Sequence, residues 1–282
     1  MNRSDRRRQE ALQGKTGSAD SFAVHNLLDQ GKRHHQAGQL AEAEHNYQLA
    51  LNMAPGHPEA LHLLGLLAYR VGSYEQAIEL ITHAIQGTPN SPLYWFNLGV
   101  VTQKAGKAEE AIRAYERAIA LNAKYVDALI NLGNVLKDLH RLAEAVDTYR
   151  KALTLNPVHA DTHNNLGVAL KEQNAIREAI AAYREAIRLK PAHFEAWNNL
   201  GLALMETGAI DEALASFQQA LTIVPNSSKA LYNLGIAAMW NGDHAGAIAR
   251  FSQVAAAKHD HGKPVHETTL FRSRLKHDAE QT

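Results

Sequence analysis

Val126–His159 reads VDALINLGNVLKDLHRLAEAVDTYRKALTLNPVH, and the rest of the chain repeats this unit. In its first half Leu129, Leu132, Gly133 and Leu136 fall at i, i+3, i+4 and i+7, which is one face of a helix. His140–Arg141 interrupts the pattern. Leu142, Ala145, Tyr149 and Ala152 then mark one face of a second helix, and Pro157 stops it, because proline lacks the backbone N–H and clashes with the preceding turn. Neither helix can bury its apolar face alone, so the hairpin has to stack on neighbours that resemble it.

A shift of about 34 residues, a period typical of one helical-repeat class, superimposes blocks beginning at Val24, Pro58, Pro92, Val126, Ala160, Phe194 and Ser228 without insertion or deletion. Numbering each block from its first residue, position 8 is Gly31, Gly65, Gly99, Gly133, Gly167, Gly201 and Gly235. Position 20 is alanine in every block, from Ala43 to Ala247, and position 27 is alanine in all but the last, where Val254 stands. Glycine inside a helix costs about 1 kcal/mol relative to alanine, so its recurrence demands a packing reason. The reason is close approach of two helices at a point where one side chain is absent. Position 24 is large (Tyr47, Ile81, Tyr115, Tyr149, Tyr183, Phe217, Phe251) and fills the space beside that gap.

This pattern, including the Trp95–Gly99 and Trp197–Gly201 segments, resembles the tetratricopeptide repeat, and the resemblance runs from Val24 to His261. It implies an all-α fold, a right-handed superhelical solenoid of antiparallel helical hairpins. Repeats of this kind form one elongated body in which each unit touches only its neighbours. Met1–Asp20 carries Arg3, Arg6, Arg7 and Arg8 with little to bury and reads as a disordered basic arm. Residues 24–261 hold the seven repeats. Residues 262–282 leave the period after Gly262 and Pro264, and Leu270, Phe271, Leu275 and Ala279 suggest a C-terminal capping helix or a linker.

Lysine and arginine number 29, as do aspartate and glutamate, so no global field draws the chain to nucleic acid or an anionic membrane. Cysteine is absent, which removes disulfides and thiolate metal sites. No apolar run approaches the roughly 20 residues that span a bilayer, and the cytoplasm is the expected compartment. Gly14-Lys15-Thr16 resembles the end of a phosphate-binding loop, but Gln9 stands where that loop needs glycine and no strand precedes it. The histidines at position 34 (His57, His159, His193, His261) are dispersed by the repeat itself, whereas metal ligands must converge. No cofactor and no catalysis is expected.

The resemblance further implies that first helices line an inner curve, with positions 2, 5, 6, 9, 12 and 13 facing it unpacked. Position 6 reads Asn97, Asn131, Asn165, Asn199 and Asn233 in five consecutive repeats. Asparagine offers an acceptor and two donors on a short side chain, and so can pair with the backbone of an extended polypeptide. First helices about 10 Å apart would meet a strand rising about 3.3 Å per residue at roughly every third residue. On this reading replacing the five with alanine removes no buried contact. Phe96, Asn164, Asn198 and Tyr232 at position 5, with Asn134, Lys137 and Lys171, would add side-chain preference.

The row resembles the one in the superhelical domain of O-linked N-acetylglucosamine transferases, where it holds substrate polypeptide. The basic residue at position 5 that marks chaperone-docking members does not occur. The expected function is a protein–protein interaction scaffold. The alternative is the substrate-recruiting region of a modifying enzyme, glycosyltransferase-like, whose catalytic domain lies elsewhere. A third alternative is weak self-association through the end repeats.

Overall fold

The computed structural model describes residues 21–259. The expected basic arm (1–20) and C-terminal helix (262–282) lie outside the described residues. Fourteen helices and no strand occur among the described residues. Helix α1 covers 21–36. The others are α2 (Leu40–Met53), α3 (Pro58–Arg70), α4 (Tyr74–Gly87), α5 (Pro92–Lys104), α6 (Ala108–Leu121), α7 (Val126–Asp138), α8 (Leu142–Leu155), α9 (Ala160–Glu172), α10 (Ile176–Leu189), α11 (Phe194–Glu206), α12 (Ile210–Ile223), α13 (Ser228–Trp240) and α14 (His244–His259). The chain is an all-α helical repeat, and from the second block onward each block begins on the first residue of an odd-numbered helix.

Two compact units divide at Leu136, inside α7. In the first, α2 packs on α3, α3 on α4, α4 on α5 and α5 on α6; in the second the same succession runs from α8 to α14. Odd helices also touch the next odd helix, α3 with α5, α9 with α11, and α11 with α13.

The turn inside each hairpin is dictated by position 15. Gly72, Gly106 and Gly208 take φ of 83, 77 and 78°, and His140 and Asn174 adopt the same left-handed backbone at 56 and 65°. That conformation lets two amides turn back onto the helix just ended: Gly106 N–H reaches Gln103 O at 3.1 Å and Lys107 N–H reaches Thr102 O at 2.9 Å. This pair of bonds is the Schellman closure, which satisfies carbonyls that the helix end would otherwise leave open. Between hairpins, position 34 supplies the N-cap of the next odd helix. Ser91 and Ser227 do this with a hydroxyl, and His57, His159 and His193 do it with ring Nδ1, which accepts the N–H of Ala60, Thr162 and Ala196. The position-34 histidines therefore have a local structural reason. In the last repeat, His259 replaces the proline at position 32, and α14 runs to that residue, two further than its counterparts.

The position-8 and position-24 pairing is as the sequence predicts. A methyl placed on Gly99 would lie 2.5 Å from the Tyr115 ring, and one on Gly201 would lie 2.5 Å from Phe217. Position-24 rings are buried from Tyr47 through Phe217, as is every alanine at position 20. The first repeat ends the stack on a polar face: Gln30, where later repeats carry leucine, is exposed, and His34 bonds Gln39 at 2.7 Å.

Candidate functional site

The five position-6 asparagines are half-buried in every case. Their amides are not idle. Asn199 Nδ2 donates to Asn164 Oδ1 at 3.0 Å, and Asn233 Nδ2 donates to Asn198 Oδ1 at 2.9 Å. Asn97 Nδ2 meets His62 Nε2 at 2.8 Å, the imidazole accepting in its neutral Nδ1–H form. Each of these bonds joins position 6 of one repeat to position 5 of the repeat before. Asn164 Nδ2 also donates to Asn165 Oδ1 at 3.4 Å, and Asn131 hydrogen-bonds the Tyr115 hydroxyl.

Position 5 therefore departs from the expectation of an unpacked lining. His62, Asn164 and Asn198 are buried, Asn198 completely. Phe96 is half-buried, its ring 4.9 Å from that of Tyr125 and 5.9 Å from that of Tyr115. Only at the last repeat does this position stay open, with Tyr232 exposed beside Phe251. The physical cause is the contact between successive odd helices: position 5 turns toward the next repeat and is covered by it. The expectation that five alanines would remove no buried contact is corrected by the same bonds.

Lys171 reaches Glu206 at 2.7 Å, and Lys137 reaches Asp138 at 2.7 Å, so both ammonium groups already face a carboxylate. Asn134 is half-buried and hydrogen-bonded or otherwise engaged. Position 9, which the resemblance places on the lining together with Asn134, carries Leu66 and Val100 in the first unit and Val168, Leu202 and Ile236 in the second, all half-buried. No group of histidine and acidic side chains suited to a metal occurs among the described residues, and no described helix is long and apolar enough to cross a membrane.

Burial of His62, stacked on Tyr94 at 4.3 Å, pushes its pKa down to about 4, while Glu59 opposes the shift. Below the ordinary value of 6.5 the unfolded chain takes up a proton that the folded one refuses. Stability is therefore full above pH 6.5 and falls as the pH drops toward 4. At pH 5 the loss is about 2 kcal/mol. His62→Asn, which installs the residue found at 164 and 198 and preserves a partner for Asn97, removes this contribution. Thermal melts at pH 7 and 5 should show a smaller drop for the variant than for wild type, and equal drops would refute the assignment.

Stacked hairpins with a periodic amide row on one helix of each define a helical-repeat protein whose exposed chemistry is that of a scaffold surface. The chain belongs to the tetratricopeptide repeat family: models of that repeat match residues 90–157, 125–192, 164–228 and 204–267. A further model, described as anaphase-promoting complex, cyclosome, subunit 3, matches residues 36–118. No curated protein matches the chain. Among solved structures, YrrB, described as a TPR protein with an unusual peptide-binding site, is 23% identical. It covers 69% of this chain and 97% of its own at a TM-score of 0.57. MamA from Desulfovibrio magneticus RS-1 is 18% identical, covering 61% of this chain and 97% of its own at 0.58. A tetratricopeptide repeat protein from Parabacteroides merdae is 16% identical, covering 89% of this chain and 97% of its own at 0.64. At these identities the likeness is one of fold.

Proposed function

We propose that this chain is a protein-interaction scaffold that binds extended polypeptide along its odd-numbered helices, through Asn97, Asn131, Asn165, Asn199 and Asn233. The observation that supports this is the strut. An asparagine whose Nδ2 gives one N–H to the preceding repeat keeps its second N–H and a carbonyl lone pair, and its amide plane is fixed before a ligand arrives. Half-burial leaves that remaining capacity accessible, and the aliphatic side chains at position 9 lie one helical turn away for the ligand's side chains.

Backbone recognition of this kind is weak per contact, about 1 kcal/mol for each hydrogen bond, and tolerant of ligand sequence. Lys137 and Lys171, already paired with carboxylates, contribute shape more than charge. The test is an NMR titration of the full chain with unlabelled, unstructured peptides of about twelve residues, the length that spans five rungs. The side-chain amide signals of the five asparagines should shift together with methyl signals of Leu66, Val168 and Leu202. Shifts confined to the even-numbered helices would place any binding on the other face and end this reading.

A further inference from the structure

At the last repeat the amide-bearing face of the odd helix changes character. Positions 6, 9 and 13 fall at i, i+3 and i+7, on one face of each odd helix. In the second unit they read Asn165, Val168 and Glu172, then Asn199, Leu202 and Glu206, and finally Asn233, Ile236 and Trp240. Position 13 is hydrophilic in every earlier repeat, from Gln36 to Glu206, and only the last carries an aromatic ring there. That ring is 64% exposed. Trp95 and Trp197, by contrast, are half-buried, and their indole N–H groups donate to the Pro89 and Pro191 carbonyls at 2.9 Å.

An indole left in water forgoes the burial that makes tryptophan a common anchor of contacts. Beside it Ile236 and Met239 are half-buried. Past the turn, Asp243 Oδ1 accepts the N–H of Gly246 at 2.8 Å, and the carboxylate pairs with no lysine or arginine among the described residues. This end of the face thus offers an apolar stripe and an unbalanced negative charge.

The chain carries a segment suited to both. Residues 260–282 follow α14 and lie beyond the described ones. Leu270 and Phe271 are the one adjacent pair of bulky apolar residues in it, and Arg272 and Arg274 come directly after. Because α13 and α14 form a hairpin, α14 ends near the start of α13, about 20 Å from Trp240 by the rise of an α-helix. Twelve residues separate His259 from Phe271, and an extended chain covers about 3.3 Å with each, so the pair reaches the stripe with slack. A short tether holds its ligand at an effective concentration near millimolar. At that concentration a contact too weak to join separate molecules stays occupied.

We infer that the segment around Leu270 and Phe271 docks on the stripe formed by Asn233, Ile236 and Trp240, with Phe271 against the indole and the arginines beside it meeting Asp243. It thereby closes the last rung of the amide row. The stacking side of the last hairpin, marked by Tyr232 and Phe251, is a different surface. The closing of a rung rests on the groove reading, whereas the contact itself does not.

The test is 19F NMR of the full chain carrying 5-fluorotryptophan. The three tryptophans give three resonances, and that of Trp240 is the one lost in Trp240→Phe. Leu270→Ser with Phe271→Ser alters residues outside the seven repeats. It should move the Trp240 resonance and hold those of Trp95 and Trp197. A synthetic peptide of residues 262–282 added to this double variant should return the resonance toward its wild-type position, and the same peptide with both serines should not. Asp243→Asn, which keeps a capping side chain, should move it part of the way. A resonance that ignores the double variant overturns the contact. One that shifts when wild type is diluted overturns it too, since a second copy then supplies the segment.

Neutral, unstructured peptides of about twelve residues should bind the double variant roughly threefold more tightly than wild type, with the Asn233 side-chain amide responding. That is the gain on freeing a site otherwise closed about two-thirds of the time. Equal affinity overturns the closing of the rung. If Trp240 responds to Leu270 and Phe271 while peptides bind neither protein, the groove reading falls and the contact stands.

Discussion

Gly167→Leu should unfold the α9–α10 hairpin at a temperature well below wild type. A methyl built on Gly167 lies 2.5 Å from Cε1 of Tyr183 and 2.7 Å from Cδ1, so even alanine cannot enter unless the ring moves. Tyr183 has nowhere to go, since it is buried at the centre of its hairpin beside Ala179 and Ala186, which are themselves fully covered. The helices cannot swing apart freely, because the turn joining them is closed by Asn174 N–H to Lys171 O and Ala175 N–H to Leu170 O, both at 2.9 Å. Overpacking typically costs about 1–3 kcal/mol, and a clash with both backbones constrained belongs at or beyond the upper end. For a chain of this size that corresponds to a fall in melting temperature of about 6 °C or more. Gly167→Ala should fall between leucine and wild type. Because repeat arrays can open locally, hydrogen exchange should show the loss concentrated in α9 and α10. A leucine variant that melts with wild type would mean that the hairpin register is wrong.

That register was legible in the sequence because it rests on contacts internal to one repeat. Glycine at position 8, a ring at position 24 and a turn residue at position 15 constrain each other within a single hairpin, and their spacing alone fixes which faces meet. Even His140 and Asn174, the two non-glycine turn residues, take the left-handed backbone that their alignment with Gly72 and Gly106 predicts.

The candidate site was half legible for the opposite reason. Whether position 5 faces a groove or a neighbour depends on how closely consecutive odd helices approach, and nothing inside one repeat encodes that distance. Asn164 and Asn198 look like surface residues by type, yet they are buried and hydrogen-bonded. The trace left in the sequence is a pairing across the repeat: a hydrogen-bonding residue at 62, 164 and 198 answered 35 residues later by Asn97, Asn199 and Asn233. The capping histidines were missed similarly. Their dispersal by the repeat argues against metal but does not show their role, which is shared with Ser91 and Ser227 and is to accept one backbone N–H.

The struts change what the central functional prediction must look like. Replacing Asn97, Asn131, Asn165, Asn199 and Asn233 together with alanine should lower polypeptide affinity at least tenfold, since the loss of two or more hydrogen bonds at about 1 kcal/mol each already exceeds the 1.4 kcal/mol of one decade. The same change also costs stability. It strips the donors from Asn164 Oδ1 and Asn198 Oδ1, and Asn198 is wholly buried with its Nδ2 already unpartnered. An unmet buried polar atom costs about 1–3 kcal/mol, which the better helix propensity of alanine, a few tenths per site, does not offset. Binding lost through partial unfolding has to be separated from binding lost through missing amides.

The control is Asn164→Ala with Asn198→Ala, which breaks two of the struts from their buried ends and leaves all five position-6 amides in place. Both variants should melt below wild type. Compared by isothermal titration with one bound peptide, at a temperature where circular dichroism shows both fully helical, the position-6 variant should lose at least tenfold and the control no more than about threefold, the worth of amides held less firmly. Equal losses would make the row a stacking device, its asparagines there for one another and not for a ligand. An unchanged affinity in the position-6 variant would move the binding surface off these helices altogether.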